Sequence, residues 1–109
     1  MKICINTALF ALITATATAG YAAGDPDAGR DIAAKSCQTC HGADGNGTDA
    51  QYPRLAGQYA DYIERSLQDY RSGARSNPIM AGFAAGLSDQ DIKDLAAWFS
   101  GQSGLNTPD

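Results

Sequence analysis

Apolar and polar positions divide the chain into an almost uncharged leader, three stretches of helical periodicity and two irregular connections, with no stretch that alternates as a strand does. DPDAGRDIAAKSC, residues 25–37, puts Gly29, Ile32, Ala33 and Cys37 on one face. Asp25 is placed as its N-cap and Pro26 at the first helical position. GQYADYIERSLQDYRSG, residues 57–73, carries Tyr59, Tyr62, Ile63, Leu67 and Tyr70 at helical spacing. The tyrosines read as a core stripe with hydroxyls reaching water, Asp61 and Arg65 as an i, i+4 pair, and Gly73 as the stop. LSDQDIKDLAAWFSG, residues 87–101, is the clearest helix. Ser88 caps it, Asp89 and Asp91 sit in its positive first turn, Ile92, Leu95, Ala96 and Phe99 form its apolar face, and Gly101 follows. Two segments lie between, the glycine-rich HGADGNGTDAQYPRLA and the loop ARSNPIMAGFAAG. The pattern predicts a small all-α domain with loops wrapped around something.

The first residues do not belong to that pattern. Met1 and Lys2 precede the apolar ICINTALFALI and the small, weakly polar TATATAGYAAG, and no charge follows Lys2 until Asp25. This is the form of a secretory signal peptide, residues 1–23, cleaved after Ala22 or Ala23 to leave a mature domain of residues 24–109. A membrane anchor fits less well, because the stretch is poor in large apolar residues and interrupted by Asn6. Cys4 leaves with the leader.

The formal net charge is −4; without Lys2, seven basic residues face twelve acidic ones, a charge of −5. That excess argues against nucleic acid and anionic membrane surfaces as partners. A domain this small has a limited core of its own and calls for a staple.

The staple lies in SCQTCHGADG, residues 36–45. Two of the three cysteines and the only histidine of the chain fall there, at Cys37, Cys40 and His41. Spacings i, i+3 and i+4 put all three on one side of a helical turn. Four chemistries compete. A thiol–disulfide centre wants a preceding strand. A Cys37–Cys40 disulfide closes too short a loop to constrain the chain much. A zinc site lacks further histidine or cysteine ligands. C-x-x-C-H as a covalent haem c attachment uses every residue: two thiols for the vinyl groups, and the histidine for the iron. Met80 is the only methionine after Met1, and it is the candidate for the sixth iron position. DGNGTD departs from a calcium loop, with Asp49 where glycine is needed sixth and Leu55 where glutamate is needed twelfth.

The stretches CQTCHGADGNG, YPRLAGQ, DYRSGARSNPIMAGFAAGLS and LSDQDIKDLAAWF, in that order, resemble a class I cytochrome c, most closely a single domain of the cytochrome c4 and c553 group. The resemblance implies a fold of three main helices around one haem, with Gly29 of the first helix crossing beneath Trp98 of the last, beside Leu95. It implies that the Pro53 carbonyl accepts the other ring N–H of His41, that Tyr52 and Gln58 lie near the haem, and that Arg54 meets a propionate. It further implies a monomeric periplasmic carrier that is not an enzyme and passes electrons transiently between respiratory redox proteins. The alternatives are a dedicated haem subunit of a larger redox enzyme, or a haem sensor or peroxidase with a labile Met80. Cytochromes c4 carry two such domains, whereas this chain has one haem motif.

Overall fold

The capping signals of the sequence account for where the helices begin. The computed structural model describes residues 23–106; the expected leader falls outside them except for Ala23. The described residues form five helices and no strand: α1 (Pro26–Ser36), α2 (Gln38–His41), α3 (Ala60–Ser72), α4 (Pro78–Ala84) and α5 (Asp89–Ser100). The Asp25 carboxylate accepts the N–H groups of Asp27 and Ala28, with Pro26 beginning α1. Ser88 and Asp91 form a reciprocal capping box at the start of α5. Gly73 ends α3 in the left-handed conformation, at φ 84°.

The helix expected over residues 25–37 is α1, capped by Asp25 and Cys37, and Cys37 also opens the short α2. Two local expectations are corrected. The segment expected to be a loop around Met80 contains α4. Asn77 is extended and its side-chain oxygen accepts the N–H groups of Ile79 and Met80, each at 3.1 Å, while Pro78 takes the first helical position. The same Asn-Pro pair serves a turn or a helix start, and seven residues are too few for periodicity to decide. The Asp61–Arg65 ion pair is not among those of the described residues; the Asp61 carboxylate instead accepts the N–H of Tyr62 at 2.8 Å.

Packing follows the apolar faces. α1 and α5 make the most extensive contact, α5 also packs on α3, and α3 on α4. Ala33, Ile63, Leu95, Ala96 and Phe99 form the buried cluster. On α3, Ile63 is buried, while Tyr62 lines a cavity and Tyr59 stands at the N-cap, about half exposed. The α1–α5 crossing is close because Gly29 has no side chain. A Cβ there would stand 1.9 Å from the Asp94 carbonyl oxygen and 2.9 Å from the Trp98 Cβ. Asp94 is itself buried, and its carboxylate accepts the Asp25 N–H and the Gln90 side-chain amide, both at 2.8 Å. No helix of the described residues is long and apolar enough to cross a membrane.

Gly29→Ala is expected to destabilise the mature protein by about 1–3 kcal/mol, because helix backbones must separate to admit the methyl group. Gly82 of α4 has nothing within 4 Å of its would-be Cβ, so Gly82→Ala is expected to be neutral or stabilising by up to about 1 kcal/mol. Thermal unfolding of both variants checks this; equal melting temperatures would contradict the crossing.

Candidate functional site

α2, the segment around residues 51–58 and the inner faces of α3, α4 and α5 enclose a cavity of about 520 Å³. Cys37, Cys40 and His41 enter it from one turn of backbone, in which the N–H groups of Cys40 and His41 both point to the Cys37 carbonyl, at 3.3 and 3.0 Å. Ile63 and Leu67 of α3, Phe83 of α4, and Leu95 and Phe99 of α5 make much of the wall apolar.

The chain then folds back to brace the turn. The Gly47 N–H donates to the His41 carbonyl at 2.6 Å, and the Thr48 hydroxyl reaches the carbonyls of Thr39 and Cys40, each at 3.1 Å. Gly45, at φ 83°, accepts the N–H groups of Leu55 and Ala56. A Cβ at Gly45 would lie 2.7 Å from the Phe99 ring, so glycine is required there for both conformation and space. The Gly57 N–H donates to the Phe99 carbonyl at 2.9 Å, and the Trp98 indole donates to the Ala43 carbonyl at 3.1 Å, anchoring the segment at both ends to α5.

This bracing places the Pro53 carbonyl 2.9 Å from His41 Nδ1. A carbonyl oxygen only accepts, so Nδ1 carries a proton, and Nε2 is the ring nitrogen left to serve as a ligand. His41 is buried, and the ring is thereby held in one tautomer and one orientation. The two thiols are unbridged. Burial pushes the Cys37 thiol up to about 11, which is the reverse of the lowered thiol expected at a redox-active cysteine pair.

All eight residues singled out in the sequence line this one cavity: Cys37, Cys40, His41, Tyr52, Pro53, Arg54, Gln58 and Met80. The Tyr52 ring lies 6.5 Å from that of His41, inclined at 58°. Tyr62 and Tyr70, read as core, also face the cavity, as do Ile79 and Phe83 of the unexpected α4. Arg75 lines it too. Its position just past a helix-ending glycine carries no periodic signal, and only the contact with Tyr70 of the apolar stripe could have pointed to it. The donor set fits haem c: two free thiols at the right spacing, an imidazole whose Nε2 is not taken by the protein, and a largely apolar wall.

The family model of cytochrome c matches residues 26–103. Cytochrome c-554(548) of Halomonas halodenitrificans is 47% identical over 83 residues, which are 73% of this chain and 99% of that protein. The thiosulfate dehydrogenase electron acceptor of Stutzerimonas stutzeri is 54% identical over 70 residues, 63% of this chain and 32% of that one. The crystal structure of reduced recombinant cytochrome c4 from Pseudomonas stutzeri superposes with a TM-score of 0.70 at 41% identity, over 76% of this chain and 48% of that chain. The chain therefore spans about half the length of the cytochrome c4 and about a third of the thiosulfate dehydrogenase electron acceptor. A match of this extent, with no strand among the described residues, assigns the chain to the cytochrome c family as a class I c-type cytochrome of the c4 group, an electron-transfer protein that carries haem c covalently on Cys37 and Cys40.

Proposed function

We propose that the protein is a periplasmic carrier, exported by the leader of residues 1–23, that moves one electron at a time between respiratory redox partners through a haem iron ligated by His41 and Met80. The observation that carries this reading is the placement of His41, with Nδ1–H given to Pro53, in the same cavity as Met80. When bound, haem c supplies an iron that alternates between ferric and ferrous states.

The protein's part is to hold that iron still. Donation from Nδ1 to the Pro53 carbonyl leaves Nε2 as the ligand atom and makes it more basic. The Asn77 cap fixes the first turn of α4, and with it the backbone of Met80. With His41 and Met80 as its ligands, haem c would have a raised potential that favours ferrous iron. Both side chains would be retained as ligands, which disfavours substrate chemistry at the iron. The apolar residues of α3 and α5 would limit water at the site. Arg54 is the candidate partner of a propionate, and Tyr52 and Gln58 complete the wall beside it.

A second reading has specific support. The 54% identity is to a protein named as the electron acceptor of thiosulfate dehydrogenase, which fits a dedicated haem subunit of one enzyme. A partner that co-purifies at fixed stoichiometry favours that reading; a monomer exchanging electrons with unrelated proteins favours the carrier.

Met80→Ala is expected to abolish the weak far-red methionine–iron absorption band of the oxidised protein and to let the ferrous form bind carbon monoxide. A band that persists in the variant would exclude Met80 as ligand. The double variant Cys37→Ala/Cys40→Ala is expected to leave no haem on the polypeptide after denaturing extraction, as read by intact mass; retention of haem mass would contradict attachment at these thiols.

A further inference from the structure

The chain carries twelve acidic residues against eight basic ones, yet no aspartate or glutamate lines the cavity, and two arginines, Arg54 and Arg75, do. Two arginines away from the cavity, Arg71 and Arg30, are committed to carboxylates. Arg71 pairs with Asp89 and donates to the Leu87 carbonyl, and Arg30 lies near Asp27 and Asp31 on the outer face of α1. Arg75 is held differently. Its guanidinium lies over the Tyr70 ring, 4.8 Å from the centroid, and donates to the Ser66 hydroxyl at 3.4 Å. Its backbone N–H donates to the Asp69 carbonyl at 3.0 Å, tying the loop to the end of α3. No ion pair of the described residues includes it. A ring face and a hydroxyl fix a guanidinium without cancelling its charge. Tyr70 and Ser66 themselves line the cavity.

We propose that Arg75, held by Tyr70 and Ser66, is a positioning residue of the redox site whose uncompensated charge raises the reduction potential. The inference rests on the reading of the cavity as a His41/Met80 haem site. The physical argument is Coulombic. A fixed positive charge beside the cavity disfavours the oxidised, more positive state of the iron. Arg75 is an exposed residue, so water and salt screen its charge, and its effect exceeds that of an outer-face cation through its fixed position at the cavity. Among the described residues the cavity is lined by two arginines and no carboxylate, although the chain's formal net charge is −4.

The test is the midpoint potential of the haem-loaded protein, by spectroelectrochemical titration, for wild type, Arg75→Gln, Arg75→Lys, Tyr70→Leu and the outer-face control Arg30→Gln. The far-red band and intact mass establish that ligation and haem are unchanged. Arg75→Gln is expected to lower the potential by a threefold to tenfold shift in the redox equilibrium, a tenfold shift being about 59 mV for one electron. Arg75→Lys should stay within twofold of wild type, Tyr70→Leu should fall between the two, and Arg30→Gln should stay within twofold. A shift below twofold in Arg75→Gln with ligation intact would overturn the inference. So would equal shifts in Arg75→Gln and Arg75→Lys, which mark a structural role, or in Arg75→Gln and Arg30→Gln, which mark net charge alone. If Arg75→Gln does not mature, the order of Arg75→Lys and Tyr70→Leu decides by the same criteria. Loss of haem or of the methionine band in the wild type itself would instead remove the underlying site reading.

Discussion

The contact of Gly29 with the backbone of α5 is the constraint on which the rest of the molecule depends. A carbonyl oxygen of α5 occupies the space a side chain would need, so the two helices cross at backbone distance. Through that crossing the end of α1, where Cys37 stands, is packed on the core cluster, whose Leu95 and Phe99 form part of the cavity wall. The buried Asp94 carboxylate reinforces the joint by receiving the N–H that opens α1 and an amide from its own helix. A buried carboxylate so supplied with donors tolerates its removal from water.

α5 acts a second time, on the far side of His41. Its Phe99 carbonyl and Trp98 indole hold the two ends of the segment that carries Pro53. The attachment turn and the carbonyl that orients the histidine are thus referred to the same helix. A redox centre benefits from this economy of parts. Electron transfer is faster when ligands do not move between oxidation states, and a histidine clamped at Nδ1 inside a braced loop has little room to move. Met80 is secured separately, by the Asn77 cap and by the packing of α4 on α3.

Much of this was legible in the residues. C-x-x-C-H identified the chemistry because spacing alone makes three scarce side chains converge, and Asp25, Pro26 and Ser88 marked helix starts by local hydrogen bonding that needs no tertiary context. The resemblance to class I cytochromes c supplied the Gly29–Trp98 crossing and the Pro53 partner of His41, neither of which periodicity could reveal. What escaped was set by tertiary packing or by ambiguous local chemistry. α4 was hidden because Asn-Pro reads equally as turn or cap. The cavity-lining place of Tyr62 was hidden because helical spacing does not say what a face packs against. Arg75 was hidden because its role depends on a ring five residues earlier, across a helix end.

The most direct test of the central claim, one iron held between His41 Nε2 and the Met80 sulfur, is a proton and nitrogen NMR spectrum of the reduced, haem-loaded protein labelled with nitrogen-15. A six-coordinate low-spin site predicts Met80 methyl and methylene protons moved strongly upfield by the porphyrin ring current. It also predicts a slowly exchanging His41 Nδ1–H, consistent with its hydrogen bond to Pro53. Met80 protons at ordinary aliphatic shifts, or a His41 Nδ1–H that exchanges freely with water, would contradict it.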